Sequence, residues 1–149
     1  MPKPPPITLL TAYYTTGLQP WLVLLAAQQR QAMYKEVCPA GWHLPSDDEW
    51  TQLTNYLGGD SIAGGKLKET GTIHWDSPNT DATGFTALPA GNTTVSGGFF
   101  QLGRSGNWWN TTEVDSEEAT NRYIQHNDSD VTRGSGYKGI GYSVRCVKD

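Results

Sequence analysis

The clearest pattern of apolar and polar positions lies about a third of the way along the chain. Trp50, Leu53 and Leu57 recur at i, i+3 and i+7, the spacing that places side chains on one stripe of a helix. A serine and a glutamate have the spacing of a capping box at the start of this stretch, and two glycines able to take positive φ follow it. The pattern therefore predicts a helix over residues 46–57.

A shorter helix is predicted over residues 61–68, just beyond the glycine pair. The residues expected on its buried face are Ile62, Ala63 and Leu67. Gly64 and Gly65 lie inside this stretch, where each glycine destabilises a helix by about 1 kcal/mol relative to alanine. Glycine is used where a side chain would not fit, so this pair predicts that another part of the backbone packs closely here.

Beyond residue 69 the pattern changes to short segments separated by loops rich in Gly, Asn, Ser and Thr. The segments predicted as strands are 85–88, 98–102, 107–112, 122–126 and 141–147. The residues between them that favour turns lie at 91–92, 96–98 and 134–136. Along the last strand, Tyr142, Val144 and Cys146 share one face. Two helices followed by an antiparallel sheet are typical of the α+β class.

Composition narrows the classes of function. Hydrophobic residues make up 36% and charged residues 17% of the chain, and 17 Gly and 9 Pro indicate many turns. Six Trp argue against disorder. The formal charge of −4 argues against nucleic acid and against an anionic membrane surface, since both need a basic footprint. No membrane span is predicted, because no window of about 18 apolar residues is present.

Charge also divides the chain into two regions. Residues 1–37 carry a formal charge of +2 and begin with a Pro-rich stretch, whereas residues 38–149 carry −6. We interpret residues 1–37 as an N-terminal segment, either a leader or an altered start, and residues 38–149 as the domain. A short amphipathic helix over residues 21–33 is an alternative within the first region.

Cys38 and Cys146 are the two cysteines of the chain and lie 108 positions apart. This spacing excludes a Cys-x-x-Cys redox pair and a four-cysteine zinc site. Composition alone leaves two alternatives, namely two separate buried thiols or one disulfide that joins the start of the domain to its last strand. In the chain-entropy model a disulfide loop of this size contributes about 4–5 kcal/mol, and a disulfide would indicate an oxidising compartment.

An ordered series of motifs gives the chain a family resemblance. The series consists of Cys38-Pro-Ala-Gly-Trp-His-Leu-Pro45, Asp48-Glu49-Trp50, Tyr56-Leu57-Gly58-Gly59, Ala63-Gly-Gly-Lys-Leu-Lys-Glu69, Gly84-Phe85, Trp108-Trp109 and Tyr142-Ser-Val-Arg-Cys-Val-Lys-Asp149. Over residues 38–149 it resembles the Fibrobacter succinogenes major paralogous domain. The resemblance implies a C-type-lectin-like fold, in which two helices pack on a twisted antiparallel sheet with long loops, related in shape to the formylglycine-generating enzymes. It also implies a Cys38–Cys146 disulfide and an exported or surface protein.

Signals for catalysis and metal binding are weak. His43, His74 and His126 lack the spacing of metal ligands, and the chain has no Gly-x-Ser-x-Gly, His-Glu-x-x-His or phosphate-loop motif. Residues 127–130 resemble a calcium loop locally but lack its glycine and distal glutamate. The residues expected in a solvated acidic loop are Asp115, Glu117 and Glu118. We expect no cofactor, with calcium as the alternative.

The chain is not expected to be an enzyme. The formylglycine-generating enzymes rely on reactive cysteines, and a Cys38–Cys146 disulfide would leave no such nucleophile in this chain. A relative of those enzymes that retains activity is the weakest alternative.

The tryptophans lie mainly in motifs that define the fold. Trp42, Trp50 and Trp75 are therefore expected in the core. Trp108 and Trp109 are neighbours on a predicted strand and should point to opposite faces. We expect one of this pair in the core and Trp109 on the outer surface.

Residues 107–139 combine aromatic with short polar side chains, the composition of an adaptable recognition surface. The residues predicted to form a ligand-binding face are Trp109, Asn110, Thr112, Glu113, Arg122, Tyr123, Gln125, His126, Asn127, Asp128, Thr132 and Tyr137. Alternation along residues 122–126 places Ile124 toward the core and Tyr123 and Gln125 toward solvent. The alternative is a core Tyr123 with a solvated Arg122.

These features predict a non-enzymatic, lectin-like module outside the cytoplasm that binds a protein or carbohydrate ligand on another surface. Some relatives of this shape are variable proteins diversified by retroelements, and the polar composition of residues 107–139 is compatible with that origin. The alternative is a purely structural domain of a larger surface or phage-tail assembly.

Overall fold

The computed structural model describes residues 9–10, 37–76 and 79–149, with the backbone alone at residues 9 and 10. The elements of these ranges, numbered in chain order, are β1 (Leu9–Leu10), β2 (Trp42–His43), α1 (Asp47–Tyr56), α2 (Asp60–Leu67), β3 (Asn92–Thr93), β4 (Phe99–Phe100), β5 (Ser105–Glu113), β6 (Glu118–Gln125), β7 (Thr132–Tyr137) and β8 (Cys146–Lys148). Apart from residues 9, 10 and 37, the predicted N-terminal segment lies outside the described residues, as does the alternative helix over 21–33. Neither helix of the described ranges has the length and apolar character needed to cross a membrane.

The strands pair into three antiparallel sheets. β5, β6 and β7 form the sheet with the longest strands, in that order. In a second sheet β8 lies between β1 and β2, and β3 pairs with β4 in a two-stranded third. The two helices lie between β2 and β3 in the chain and the sheets are antiparallel, so the chain is α+β, as the sequence predicted.

The first predicted helix is confirmed to within one residue at each end. Ser46 caps α1, because its hydroxyl accepts a hydrogen bond from the backbone N–H of Glu49 at 3.2 Å. The Glu49 carboxylate in turn accepts one from the backbone N–H of Ser46 at 2.8 Å, which completes the capping box. Gly58 follows the helix with a φ of 103°, a conformation that glycine adopts without strain.

The second helix is confirmed, but one residue of its predicted buried face is wrong. Ala63 and Leu67 are buried, whereas Ile62 is 45% exposed. The backbone N–H of Gly64 donates to the carbonyl of Ser129 at 2.8 Å, so this side of α2 faces the 128–130 loop and Ile62 turns outward. A Cβ on Gly64 would lie 2.7 Å from the carbonyl oxygen of Ser129, which confirms the predicted close backbone packing.

Two of the five predicted strands form as predicted, at the centre of the fold. Residues 107–112 lie within β5 and residues 122–126 overlap β6, and both strands are longer than predicted. Residues 98–102 contribute only the two residues of β4, and residues 141–147 pair as a strand only at their end, in β8. The prediction at residues 85–88 is wrong, since only Ala87 forms an isolated bridge, with Lys68.

Strand β7 was predicted as a turn because of its Gly134-Ser135-Gly136 sequence. Gly134 lies opposite Asn121 of β6, and Gly136 lies opposite Ala119. Pairing along the whole of β6 therefore outweighs the low strand propensity of glycine. Gly134 and Gly136 lie on the same face of β7, so that part of this face carries no side chains.

Two clusters of apolar side chains cover the two faces of β5. The first packs the helices against the sheet and comprises Trp50, Leu53, Leu57, Ala63, Leu67, Trp75, Phe85, Ala87, Trp108, Ile124 and Val131. Phe85 meets Trp108 edge to face, with ring centroids 5.5 Å apart. The second contains Leu44, Trp109 and Ala119, with Cys38, Ile140, Tyr142 and Val144 packed against them.

The prediction that Trp109 lies on the outer surface is wrong. Trp108 and Trp109 point to opposite faces as expected, but each is only 4% exposed. Tyr142 lies over Trp109 with ring centroids 4.5 Å apart, so the second face of β5 is covered as well. Trp50 and Trp75 are in the core as predicted, whereas Trp42 is half-buried in β2.

A disulfide joins Cys38 to Cys146, as the family resemblance implied. It connects the segment that leads into β2 to the first residue of β8. Because β8 pairs with both β1 and β2, the bridge ties the two ends of the described chain to one sheet.

Candidate functional site

The central sheet assigns the residues of the predicted binding face to two different environments. Side chains alternate between faces along a strand, and cross-strand partners share a face. Arg122 pairs with Trp108 and Arg133, so these three lie on the face toward the helices. Tyr123 pairs with Asn107 and therefore lies on the opposite face.

Arg122 is buried rather than exposed, which corrects both predictions made for it. It is 2% exposed, and its Nε donates to Oδ1 of Asp47 at 2.9 Å. Its Nη2 lies 2.8 Å from the same oxygen and donates to the Thr51 hydroxyl at 2.8 Å. The second oxygen of Asp47 accepts from Nε of Arg133 at 2.7 Å. Arg122 thus anchors the start of α1 to the sheet and is not available to a ligand.

Asn110 and Thr112 belong to the same anchor. The hydroxyl of Thr112 accepts a hydrogen bond from the backbone N–H of Asp47 at 3.0 Å. Asn110 is fully buried, and its Oδ1 accepts from the backbone N–H of Thr112 at 3.0 Å and from the Thr120 hydroxyl. Its predicted place on an accessible face is therefore wrong.

The remaining predicted residues lie at the margins of the sheet. Glu113 is exposed and forms an ion pair with Lys138 at 3.0 Å. Tyr137 is exposed at the end of β7, and Thr132 is half-buried at its start. Asn127 and Asp128 are exposed in the loop after β6. Of the acidic loop, Asp115 and Glu117 are exposed as predicted and Glu118 is half-buried.

A buried lysine holds the loop after β6. Lys68 is fully buried, and its Nζ donates to the carbonyl of Asp128 at 2.6 Å and lies 4.6 Å from the ring centroid of Trp75. Burial lowers the pKa of Lys68, against the opposing effects of Asp128 and Asp76. The backbone of this loop is thereby fixed, and beside it the ring of His126 contacts the Asp76 carboxylate.

The histidines are engaged by carboxylates. His43 contacts Glu49 at 2.8 Å and Asp149 at 2.6 Å, and His74 contacts Glu69 at 2.6 Å. Hydrogen bonds to Glu49 and then Asp149 raise the pKa of His43. Within residues 37–76 and 79–149 no group of three His, Cys, Asp or Glu side chains is placed to hold a metal ion, and that includes the 127–130 loop.

Two of the predicted residues, Tyr123 and Gln125, line an open groove of about 300 Å³ on the face of the sheet away from the helices. Its lining residues come from β3, β4, the central sheet and the segment before β8. They are Asn92, Phe100, Gln101, Asn107, Asn121, Tyr123, Gln125, Gly134, Ser135 and Tyr142. The volume is at the lower end of the range of about 300–1,000 Å³ found for small-molecule sites.

The polar side chains of the groove are amides and hydroxyls. Five carboxamides and two tyrosines line it, and no Asp, Glu, Lys, Arg or His does. Asn121 is 2% exposed, yet its amide makes no hydrogen bond within the described residues, nor do the side chains of Tyr123 and Gln125. The amide atoms of Asn121 are not among the buried side-chain atoms without a partner, so they remain accessible from the groove and are available to a ligand there.

Gly134 keeps the amide of Asn121 open to the groove. The two residues are cross-strand partners, and a Cβ on Gly134 would lie 3.0 Å from Oδ1 of Asn121 and 3.4 Å from Cε1 of Tyr123. Asn107 and Asn121 were missed from the sequence, although the period-two spacing 121, 123, 125 could have identified Asn121 beside Tyr123 and Gln125. Asn92, Phe100 and Gln101 carry no sequence signal, because only the fold brings them to the sheet.

A second pocket, of about 100 Å³, lies between α1 and the segment that leads into β8, with Glu49, Gln52 and Arg145 in its lining. Its walls include Trp50, Leu53 and Phe85, and the buried indole N–H of Trp50 has no hydrogen-bond partner in the described residues.

Residues 13–148 match the protein family described as the Fibrobacter succinogenes major domain. The match confirms the resemblance identified over residues 38–149 and extends it toward the N-terminus. No curated protein and no solved structure matches the chain.

Arg122 and Arg133 both bond the Asp47 carboxylate, but only Arg122 is buried, so we expect the two arginines to contribute unequally to stability. Replacing Arg122 with Met should lower the free energy of unfolding by about 2–3 kcal/mol, because it removes the buried hydrogen bonds to Asp47 and Thr51 while Arg133 still compensates the Asp47 carboxylate. Arg133→Met is the matched control, since Arg133 bonds the same carboxylate with a side chain that is 56% exposed, and it should lose less than about 1 kcal/mol. Urea unfolding of both variants measures the difference. Equal losses would show that burial of Arg122 adds nothing to the anchor.

The raised pKa of His43 predicts a loss of stability on the alkaline side. Protonated His43 stabilises the fold fully below its ordinary pKa of 6.5, and this contribution disappears as the pH rises through the raised value. His43→Gln should therefore flatten the fall in unfolding free energy between about pH 6 and pH 9, measured by urea unfolding. Gln52→Ala, an exposed change on α1, should keep the native slope. An unchanged slope in His43→Gln would contradict this assignment.

Protonation of Glu49 limits the stability of the His43–Glu49 contact at low pH. Burial raises its pKa, but hydrogen bonds from Ser46 and His43 outweigh burial and hold the pKa below its ordinary 4.5. Its contribution is therefore present above pH 4.5 and is lost as the pH falls through the lowered value. The two groups together place the greatest stability of this contact between the two ordinary pKa values.

Proposed function

The chain belongs to the Fibrobacter succinogenes major domain family, and on that premise we propose that it is a non-enzymatic ligand-binding module that acts outside the cytoplasm. The observation that carries the proposal is the groove on the central sheet, where the side chains of Asn121, Tyr123 and Gln125 make no hydrogen bond within the described residues. Their hydrogen-bonding capacity is therefore available to a ligand.

The composition of the groove supports recognition. Tyr123, Tyr142 and Phe100 supply rigid aromatic area, while short amides and Ser135 supply adaptable hydrogen bonds. Antibody-type binding surfaces combine the same two kinds of side chain. The strands beneath fix these groups on a rigid base.

The same surface offers no group for catalysis. A general acid or base or a nucleophile is usually a His, carboxylate, Lys or Cys side chain, and none of these lines the groove. The two cysteines form the disulfide, so the thiol chemistry of the formylglycine-generating enzymes is not open to them. These observations favour binding over reaction.

The disulfide supports a place outside the cytoplasm. Disulfides form and persist mainly in oxidising compartments, and this one joins residues 108 positions apart. We also propose a C-type-lectin-like fold, which fits two helices beside antiparallel sheets and a bridge between the ends of the domain. Diversification of residues 107–139 among relatives is part of this proposal, and it would affect the groove through Asn121, Tyr123 and Gln125.

A second candidate is a structural domain within a larger surface or phage-tail assembly. It is favoured by an exposed apolar patch on and beside the β3–β4 hairpin, where Val95, Phe99, Phe100 and Leu102 are 71%, 65%, 57% and 68% exposed. Contiguous apolar surface of this kind marks protein interfaces.

Array binding with three variants separates the two candidates. On an array of glycans and surface proteins, the double variant Tyr123→Ala/Gln125→Ala should lose the binding of the native chain. Asn127→Ala, an exposed change outside the groove, should keep it. The melting temperature of both variants should stay within a few degrees of native, because the substituted side chains are not in the core. If binding survives the double variant and is lost in Val95→Ser/Leu102→Ser, the hairpin is the interface and the groove is not.

A further inference from the structure

We propose that the groove binds an uncharged saccharide, through its carboxamides and the faces of its aromatic rings; this rests on the proposed function and names its ligand class. The inference follows from three properties of the lining: its lack of charged side chains, its mixture of hydrogen-bond donors and acceptors, and its three aromatic side chains.

The lack of charge excludes the ionic ligand classes. The arginines of the central sheet, Arg122 and Arg133, bond Asp47 on the other face. The carboxylate of Glu118 accepts the Ser135 hydroxyl at 2.9 Å and is not itself part of the lining. A phosphate, sulfate or carboxylate in the groove would lose its hydration without gaining a counter-ion, which disfavours its binding.

The amides match hydroxyl groups. A carboxamide offers two N–H donors and an acceptor oxygen on one planar group, and a sugar hydroxyl is itself a donor and an acceptor. Asn121, Gln125 and Tyr123 have this capacity unused within the described residues. Burial raises the pKa of Tyr142 from its ordinary 10.0, so its hydroxyl also remains a protonated donor at neutral pH. A ligand dense in hydroxyls satisfies all four together.

The aromatic rings supply the apolar part of the match. The face of an aromatic ring carries partial negative charge and attracts the weakly positive C–H groups that cover one side of a sugar ring. Tyr123, Tyr142 and Phe100 line the same groove as the amides. Its volume of about 300 Å³ suits a short stretch of saccharide rather than a large ligand.

An extended peptide is the rival ligand, and the geometry disfavours it. Peptides that add to a sheet pair with the backbone of an exposed edge strand. The groove lies on the face of the β5–β6–β7 sheet, where side chains are presented and the central strand β6 already pairs on both sides. The binding groups are therefore side-chain amides rather than backbone N–H and C=O groups.

NMR titration of the ¹⁵N-labelled chain tests the ligand class. The probes are the neutral saccharides maltotriose, xylotriose, mannotriose and N,N′,N″-triacetylchitotriose, the acidic trigalacturonic acid, and trialanine with its N-terminus acetylated and its C-terminus amidated, so that the peptide carries no charge. At least one neutral saccharide should shift the side-chain amide resonances of Asn121 and Gln125, and the acid and the peptide should not. The side-chain resonance of Asn127, outside the groove, should stay in place.

A filled groove is the control for the site of binding. Gly134→Ala places a methyl group against the amide of Asn121 and the ring of Tyr123, and should weaken saccharide binding at least about tenfold through loss of the hydrogen bond. Asn127→Ala should bind as the native chain does. Both variants are compared with native protein by their backbone spectra, so that a folding defect is distinguished from a blocked site.

The outcomes separate the ligand class from the proposed function. If trigalacturonic acid or trialanine shifts the groove resonances and no neutral saccharide does, the ligand class is wrong and the binding function stands. If no neutral saccharide shifts these resonances in the titration and none binds on the glycan array, the saccharide proposal is overturned. If Gly134→Ala leaves the binding of every array ligand unchanged, the proposed function of the groove fails as well.

Discussion

The contact between Asp47 and Arg122 is the interaction on which the rest of the structure depends. Asp47 is the first residue of α1, and its carboxylate bonds Arg122 of β6 and Arg133 of β7 while its backbone N–H bonds Thr112 of β5. One residue therefore fixes a helix to all three strands of the central sheet. Since Arg122 is 2% exposed, loss of Asp47 would remove the carboxylate that compensates its charge in the interior. The pair therefore holds the sheet in one orientation toward the helices.

That orientation decides which face of the sheet remains for a ligand. Trp108 and Arg122 are turned toward α1, so their neighbours one position along the strands are turned away from it. On this second face Tyr142 covers Trp109 at one end, and Gly134 places no side chain against the amide of Asn121. Both arginines of the central sheet therefore lie on the face toward the helices, and the side chains that line the groove on the other face are uncharged.

The sequence was informative where the determinants are local. The Ser46–Glu49 capping box and the period-two position of Tyr123 and Gln125 act over a few residues, and each was predicted correctly. The role of Arg122 could not be predicted, because its partner lies 75 positions earlier in the chain. The strand at β7 was missed for a similar reason, since only pairing with β6 makes a strand of a glycine-rich segment. The groove depends both on the orientation that Arg122 gives the sheet and on the presence of β7. The sequence therefore identified two of its residues, Tyr123 and Gln125, but could not predict its shape.

The proposal depends on a difference within the groove: the amides of Asn121 and Gln125 have no hydrogen-bond partner within the described residues, whereas the amide of Asn107 beside them has two. Solvent exchange of side-chain N–H₂ groups, measured by NMR on the free chain, tests it most directly. Asn107 is the internal reference, because its Nδ2 donates to the carbonyl of Gly91 at 3.2 Å and to the Ser105 hydroxyl at 2.8 Å. Exchange should be slow for Asn107 and fast for Asn121 and Gln125, although Asn121 is the more deeply buried of the two asparagines. An Asn121 amide protected as well as that of Asn107 would show that it already has a partner, and would contradict the account.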